Sequence, residues 1–484
     1  MGEWLLDEAA RRFGDRPALI TGEATLPYTE LAGRVDETAR RLAARGLTPG
    51  ALAALWDTNG VGWVVAAHAV WRCGAAVLPI STRWTDAEAR SALERLRPAC
   101  VLGGEAFTAR AAGWGPPAWS HGDLAAGHGA DDLPATPDPA APMAVMLTSG
   151  TSGTPKAAVL SGRALLAGAE AVGQAIALTP ADRWWLAMPF FHVGGLAALI
   201  RCARFGAAAV VAGRFEADRA LAGWETDGVT IASVVPTMWQ ALLASRGDRP
   251  WPAPLRLAML GGAAAPPDLV DASPLALPSY GLTEAGSTVT LCRPGAGAAE
   301  RRTAGAPLPG VRLAILGPGG QPVPPGEEGE IAVAGPTLMD GYLGDPEATA
   351  RVLRGGWLLT GDAGVLDEAG RLTVLGRRTD LIVTGGENVY PAEVESALTG
   401  HPGVAAAAVV GVPSRRWGAS PFAFVVAAPG VDESALAGWL EPRLARFKHP
   451  RGYGFVAALP LLANGKVDRQ ALIAEATKHG YELA

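Results

Sequence analysis

A chain of 484 residues, 49% hydrophobic and 18% charged, is too long for a single core and too apolar for disorder, so two or more folded domains are expected. Its net charge of −6 gives no general attraction to nucleic acid or an anionic membrane, and points to small-molecule partners. Cys73, Cys100, Cys202 and Cys292 form no CxxC pair, the polar start lacks a signal-peptide core and no apolar run is long enough to span a bilayer; a cytoplasmic protein without zinc or disulfides is expected.

Along the chain, Leu31, Val35, Ala39 and Leu42 recur at helical spacing before Thr48-Pro49-Gly50 breaks the pattern and Ala51 to Trp56 continues as a strand. A helix over Gly60 to Trp71, a strand over Ala75 to Ile80 and a helix opened by Thr85 with Glu88 as capping box repeat the alternation, which predicts a parallel sheet covered by helices. Residues 104–142, rich in Gly, Ala and Pro, carry little periodicity and are read as a surface connector before the strand at Met143 to Leu147. After Arg293, short strands between Gly/Pro turns predict a small β subdomain. From about Asp380, a helix from Pro391 to Gly400, strands at Val404 to Val410 and Phe422 to Ala427, and a helix capped by Asp432 predict a compact α+β module. The expected architecture is therefore α/β: a large N-terminal domain of helix-covered sheets with a small β subdomain over 1–377, and a C-terminal α+β domain over 378–484.

The segment Leu147-Thr148-Ser149-Gly150-Thr151-Ser152-Gly153-Thr154-Pro155-Lys156 follows a strand directly. Glycines let backbone N–H groups close on an anion, hydroxyls donate further bonds and an ammonium can follow a phosphate, so Thr148 to Thr154 with Lys156 suit the β- and γ-phosphates of ATP. Only four of the 41 basic residues are lysines, which makes this one conspicuous. The loop is no Walker A, because Pro155-Lys156-Ala157 lacks the required glycine and hydroxyl, and Thr154 occupies the place of the last glycine of a G-x-S-x-G hydrolase elbow.

Further on, Tyr280-Gly281-Leu282-Thr283-Glu284 follows the turn Leu260-Gly261-Gly262-Ala263. Tyr280 can stack on a purine, Gly261 and Gly262 allow close approach, Thr283 can reach a phosphate and Glu284 can hold Mg²⁺ with phosphate oxygens, although a buried Tyr beside a capping Thr-Glu has the same pattern. Asp362, in Thr360-Gly361-Asp362, can accept both ribose hydroxyls; the tripeptide also marks a tight turn.

With Gly376-Arg377-Arg378-Thr379-Asp380, Thr384-Gly385-Gly386-Glu387-Asn388-Val389 and Asn464-Gly465-Lys466-Val467-Asp468-Arg469 added in this order, the chain resembles the superfamily of acyl- and aryl-CoA synthetases, luciferases and peptide-synthetase adenylation domains over nearly its whole length. The resemblance implies a ligase that uses ATP, Mg²⁺ and coenzyme A to turn a carboxylic acid into an acyl-adenylate and then a thioester. It implies a pyrophosphate-binding role for Thr148 to Lys156, a second ribose contact at Arg377, a catalytic lysine at Lys466 and a mobile C-terminal domain that presents Gly385, Gly386, Glu387 and Asn388 to coenzyme A. Thr379 stands where the family usually has an Asp or Lys hinge. Arg443, Arg446, Lys448 and Arg451 form a basic stretch suited to coenzyme A phosphates, or equally to a solvated helix end.

The same resemblance sets the acyl pocket near Phe190-Phe191-His192-Val193-Gly194-Gly195, with His192 in a catalytic and substrate-contacting position. The Asp that peptide-synthetase domains use for an amino group is missing there, and Gly194 and Gly195 are expected to leave room for a ring. Met188 to Leu196 with Arg201, Ser233 to Thr237 including Pro236, Leu260 to Ala265, and Tyr280 to Glu284 followed by Ser287 and Thr288 resemble the o-succinylbenzoate:CoA ligases of menaquinone biosynthesis. That implies Arg201 as the partner of the succinyl carboxylate. Periodicity alone puts Leu196, Leu199, Ile200 and Ala203 on the apolar face and Arg201 off it. Another aryl- or acyl-CoA synthetase and a catalytically silent nucleotide-binding protein are the alternatives.

Overall fold

The computed structural model describes residues 5–133, 137–148, 155–263, 265–377, 380–384, 387–414, 418–462 and 466–478. Among these, two large sheets dominate. The first has nine strands, whose central members Ala276–Leu282, Leu257–Leu260, Ile231–Val234, Arg183–Leu186, Ala208–Val211 and Pro17–Ile20 run parallel, with antiparallel strands at both edges. The second has seven, with Pro142–Thr148, Ala76–Pro79, Leu52–Trp56, Cys100–Gly103 and Ala118–Ser120 parallel. One hydrophobic core joins residues of both sheets to the helices Tyr28–Ala44, Val61–Arg72, Gly162–Ala175 and Val193–Phe205. Leu31, Val35, Ala39 and Leu42 all face it, as their spacing requires.

The helix Asp86–Leu96 begins with the expected capping box: Thr85 accepts from the Glu88 N–H while the Glu88 carboxylate accepts from the Thr85 N–H at 2.8 Å. The stretch read as a connector is more ordered than its composition suggests. It holds a helix Glu105–Ala111, a strand Ala118–Ser120 that extends the seven-stranded sheet, and a short helix His121–Ala125 capped reciprocally by Ser120 and Asp123. These elements are too short to impose a period on Ala-, Gly- and Pro-rich sequence.

Between Arg312 and Arg377 five strands form an antiparallel sheet, in line with the β-rich reading after Arg293, while Gly341–Tyr342 joins the edge of the seven-stranded sheet. Beyond it, Val404–Ser414 and Gly418–Ala427 pair as a long hairpin, flanked by Ile382–Thr384 and Tyr453–Phe455. The helices Pro391–Thr399 and Glu433–Leu440 pack on one core and Arg469–Lys478 on another, both built from this segment's own apolar residues. The molecule is thus α/β, with a large N-terminal part and a smaller α+β C-terminal part. No helix among the described residues is long and apolar enough to cross a membrane.

Candidate active site

Functional residues gather where strands of the two large sheets end and their loops begin, the usual ligand position in open α/β sheets. Thr148 ends one strand and Lys156 begins the next, and the two are paired across the hairpin. Ser149 to Thr154, the tip that joins them, lie outside the described residues, as do Gly385, Gly386, Arg378 and Thr379. The Lys156 ammonium stands 4.9 Å from the ring centre of Tyr342.

The strand Ala276–Leu282 carries Tyr280 and Gly281, and the 3-10 turn Thr283–Ala285 carries Thr283 and Glu284. Gly281 is required by packing: a Cβ there would meet the Ser287 carbonyl at 1.8 Å. Gly262 has φ +83 just past the end of the strand Leu257–Leu260, and a Cβ on it would lie 3.4 Å from the Val235 side chain. The Glu284 carboxylate accepts from the Tyr342 hydroxyl at 2.9 Å, and its backbone carbonyl accepts from the Met339 N–H at 2.9 Å.

Asp362 and Arg377 sit opposite each other on paired strands and form an ion pair at 2.8 Å. Arg377 also donates to the Thr360 carbonyl at 2.9 Å, and the Tyr280 hydroxyl donates to the other Asp362 oxygen at 2.5 Å. Burial raises the Asp362 pKa above the usual carboxylate value, against the pull of Arg377, Tyr280 and Lys466. The tyrosine and the acid singled out 82 positions apart are therefore direct partners.

Lys466 reaches this group from the C-terminal part. Lost hydration and the neighbouring Arg377 lower its pKa, while Asp362, Glu284 and Asp380 hold it up. Burial pushes His192 down to about 4, with Arg83 and Lys466 adding to the effect, so its imidazole is neutral at physiological pH. Lys466 thus lies within electrostatic reach of His192 as well as of the Asp362 and Glu284 carboxylates.

His192 precedes the helix Val193–Phe205 in a loop held from a distance. Asn59 donates to the Met188 carbonyl at 2.9 Å and accepts from the Phe190 N–H at 2.9 Å, while Phe190 packs on Trp63 with ring centres 4.9 Å apart. Gly194 is open, but Gly195 is not pocket space. A Cβ on Gly195 would lie 2.6 Å from the Pro189 carbonyl and 2.7 Å from that of Met188, so its missing side chain lets the loop fold back onto the helix.

Arg201 overturns the periodicity reading. It is 2% exposed, because other elements cover its helix on the side that the stripe leaves free. Its guanidinium donates to Ser287 and Thr288 at 3.3 Å each and stands 5.7 Å from the Trp184 ring, and its Nε has no partner. Among the described residues no carboxylate pairs with it, and burial pushes its pKa down to about 10. Ser287 and Thr288 are paired with Leu282 and Gly281, which sets this cation beside the nucleotide segment.

In the C-terminal part, Glu387 and Asn388 lie on a strand paired with Val383 and Thr384. Of the basic stretch, Lys448 is bound to Glu393 at 2.7 Å and Arg443 lies over Trp439 while donating to its carbonyl, so these cations already have internal partners. Sequence reasoning missed Asn59 and Tyr342; each is one polar side chain whose partners are distant in the chain, and the two-residue strand Gly341–Tyr342 is too short to announce itself.

The chain belongs to the AMP-binding enzyme family: the family model matches residues 6–343, and that of the AMP-binding enzyme C-terminal domain matches 393–466. It is 38% identical over 477 residues to a 2-succinylbenzoate–CoA ligase of Bacillus licheniformis, covering 96% of this chain and 98% of the relative. The o-succinylbenzoate CoA synthetase of Bacillus subtilis in complex with its acyl-adenylate intermediate superposes with a TM-score of 0.92 at 32% identity, covering 97% and 98% of the two chains. A double mutant of that enzyme bound to a product analogue, at the same identity and coverage, superposes with 0.76.

Proposed function

We propose that the chain is an ATP-dependent acid:CoA ligase that converts o-succinylbenzoate to o-succinylbenzoyl-CoA, a step of menaquinone biosynthesis, with AMP and pyrophosphate as the other products. The observation that carries the choice of acid is Arg201. A buried cation that among the described residues has two long hydroxyl contacts, an aromatic neighbour and no carboxylate is left to be neutralised by a ligand. Besides the carboxyl that is activated, o-succinylbenzoate brings a second one, and Arg201 with Ser287 and Thr288 would receive it. On this reading His192, Gly194 and Pro236 would contact the same acid.

In the first half-reaction an oxygen of the acid's carboxylate attacks the α-phosphorus, an O–P bond forms and the bond to pyrophosphate breaks. Thr148 to Thr154 and Lys156 hold the leaving pyrophosphate, Thr283 contacts phosphate, Gly261, Gly262, Ala263, Tyr280 and Gly281 shape the adenine slot, and Asp362 with Arg377 takes the ribose. Lys466 bridges carboxylate and phosphate as negative charge shifts between them; a compact ammonium fits where a planar guanidinium would not. Neutral His192 orients the acid by hydrogen bonding without adding charge. Glu284 offers one hard carboxylate oxygen, which fits Mg²⁺ shared with substrate phosphates; when bound, the ion neutralises phosphate charge. In the second half-reaction the coenzyme A sulfur, having lost its proton, attacks the acyl carbon, and the bond to AMP breaks. The domain boundary falls at 377/378, and rotation of residues 378–484 withdraws Lys466 and brings Gly385 to Asn388 to the thiol. Free buried cysteines and the ATP and coenzyme A requirement fit a cytoplasmic location.

Pyrophosphate release measured over aryl, fatty and amino acids, with ATP and coenzyme A, tests the reading. Highest kcat/KM on o-succinylbenzoate is expected, and preference for any monocarboxylic acid would overturn the assignment.

A further inference from the structure

The segment Met339–Leu343 ties together the two halves of the phosphate site. Its backbone follows the strand that starts with Lys156: Gly341 and Tyr342 pair with Val159 and Ala158, and the Leu343 N–H donates to the Ala157 carbonyl at 2.8 Å. The same segment holds Glu284 at both ends, through the Met339 N–H on its carbonyl and the Tyr342 hydroxyl on its carboxylate. Tyr342 is itself fixed. It is 8% exposed, its N–H donates to the Thr349 hydroxyl at 2.9 Å, and its ring faces the Lys156 ammonium.

We propose that Tyr342 is a positioning residue for the metal and pyrophosphate site: its hydroxyl fixes one oxygen of Glu284 and so aims the other at the metal, while its ring keeps the Lys156 ammonium beside the phosphates. This rests on the reading of Glu284 as the metal carboxylate and Lys156 as a phosphate contact. A free glutamate would have to lose rotamer freedom each time MgATP binds. A carboxylate already held by a phenol at 2.9 Å has lost it beforehand. The phenol donates to a charged acceptor, the stronger class of hydrogen bond, and leaves the remaining lone pairs for a cation. The aromatic face likewise holds an ammonium in place without neutralising it as a carboxylate would.

Tyr342→Phe removes the hydroxyl and keeps the ring; Tyr342→Leu removes both. Calorimetric titration of the full chain with a non-hydrolysable ATP analogue, with and without Mg²⁺, and with AMP, separates the roles. Tyr342→Phe is expected to reduce the Mg²⁺-dependent gain in analogue affinity roughly tenfold, the scale of one bond to a charged group, and to leave AMP and metal-free analogue affinity unchanged. Tyr342→Leu should in addition weaken the metal-free analogue, because Lys156 loses its platform, again sparing AMP. Glu284→Gln is the control for the underlying reading. If it lowers the Mg²⁺-dependent gain and Tyr342→Phe does not, the positioning role is wrong and the metal carboxylate stands. A loss in Tyr342→Phe without one in Glu284→Gln refutes action through Glu284. No loss in either refutes both, and an equal loss of AMP affinity in the tyrosine variants reduces Tyr342 to a packing residue.

Discussion

Replacing Arg201 with Met should move substrate preference and stability in opposite directions. In the folded protein the guanidinium is desolvated, touches two neutral hydroxyls at 3.3 Å and pairs with no carboxylate among the described residues. Its pKa falls from 12.5 to about 10, so at neutral pH holding the charge inside costs on the order of 3 kcal/mol relative to the unfolded chain. A substrate carboxylate placed against it forms a charge-assisted contact worth about 1.5–3 kcal/mol. Arg201→Met, close in length and without the charge, should therefore lower kcat/KM for o-succinylbenzoate roughly ten- to a hundredfold and change that for benzoate-like acids little. The melting temperature of the ligand-free protein should hold or rise, because two unpaired hydroxyls cost less than a buried cation. Coupled pyrophosphate release on both acids, with a thermal scan of the same preparations, reads both effects. Equal loss on the two acids, or a large fall in melting temperature, would refute the reasoning and make Arg201 a packing residue.

Lys466→Ala should nearly abolish acyl-adenylate formation yet let a supplied acyl-adenylate react with coenzyme A; equal loss in single-turnover assays of both half-reactions would contradict the two-conformation cycle. Arg377→Met removes the partner that holds Asp362 ionised, so the Asp362 pKa, already raised by burial, moves further up. AMP affinity should then be weaker and recover as pH rises, and a pH-independent loss would show that Arg377 acts on the ribose alone. His192 and His68 are held neutral by burial, at about 4 and about 3. Both folded values lie below the unfolded one near 6.5, so the unfolded chain gains protons that the folded chain refuses, and stability falls as pH drops from 6.5 towards 4. In urea titrations at pH 7, 6 and 5, His68→Phe should make this decline shallower by up to about 1.4 kcal/mol per pH unit, and an unchanged slope would exclude His68 as a source.

What the sequence made legible follows from how locally each feature is specified. The stripe Leu31, Val35, Ala39, Leu42 and the capping box at Thr85 depend on residues within a turn or two, and the structure has them where expected. The pairing of Thr148 with Lys156, by contrast, was not read from the sequence, which placed a strand before the loop and none after it. Arg201 was illegible by periodicity because a helix covered on several sides has no free polar face, so an off-stripe position does not mean solvent. Gly195 was misread for a related reason: a missing side chain is used either by a ligand or by neighbouring backbone, and only the fold decides which. Tyr342 and Glu284 stand 58 positions apart, and the strand pairing that joins them has no sequence signature.

The position of Lys466 gives the proposed cycle a direction. In the proposed first half-reaction its ammonium would meet a polyanionic nucleotide and a carboxylate substrate in addition to the attraction of Asp362, Glu284 and Asp380, against the opposition of Arg377 and lost hydration. In the proposed cycle these attractions favour the arrangement in which Lys466 lies near Asp362, Glu284 and Arg377. Once pyrophosphate leaves, the substrate carboxylate has become a neutral ester-like carbonyl and the nucleotide keeps one phosphate charge. The attraction on Lys466 falls, while the cost of its partial desolvation and the repulsion from Arg377 stay. Chemistry in the first half-reaction thus weakens the contact that must break before the second can begin. Arg377 bears on both partners: it is ion-paired with Asp362 and repels Lys466, so in the proposed cycle it would order the ribose acid and favour departure of the lysine.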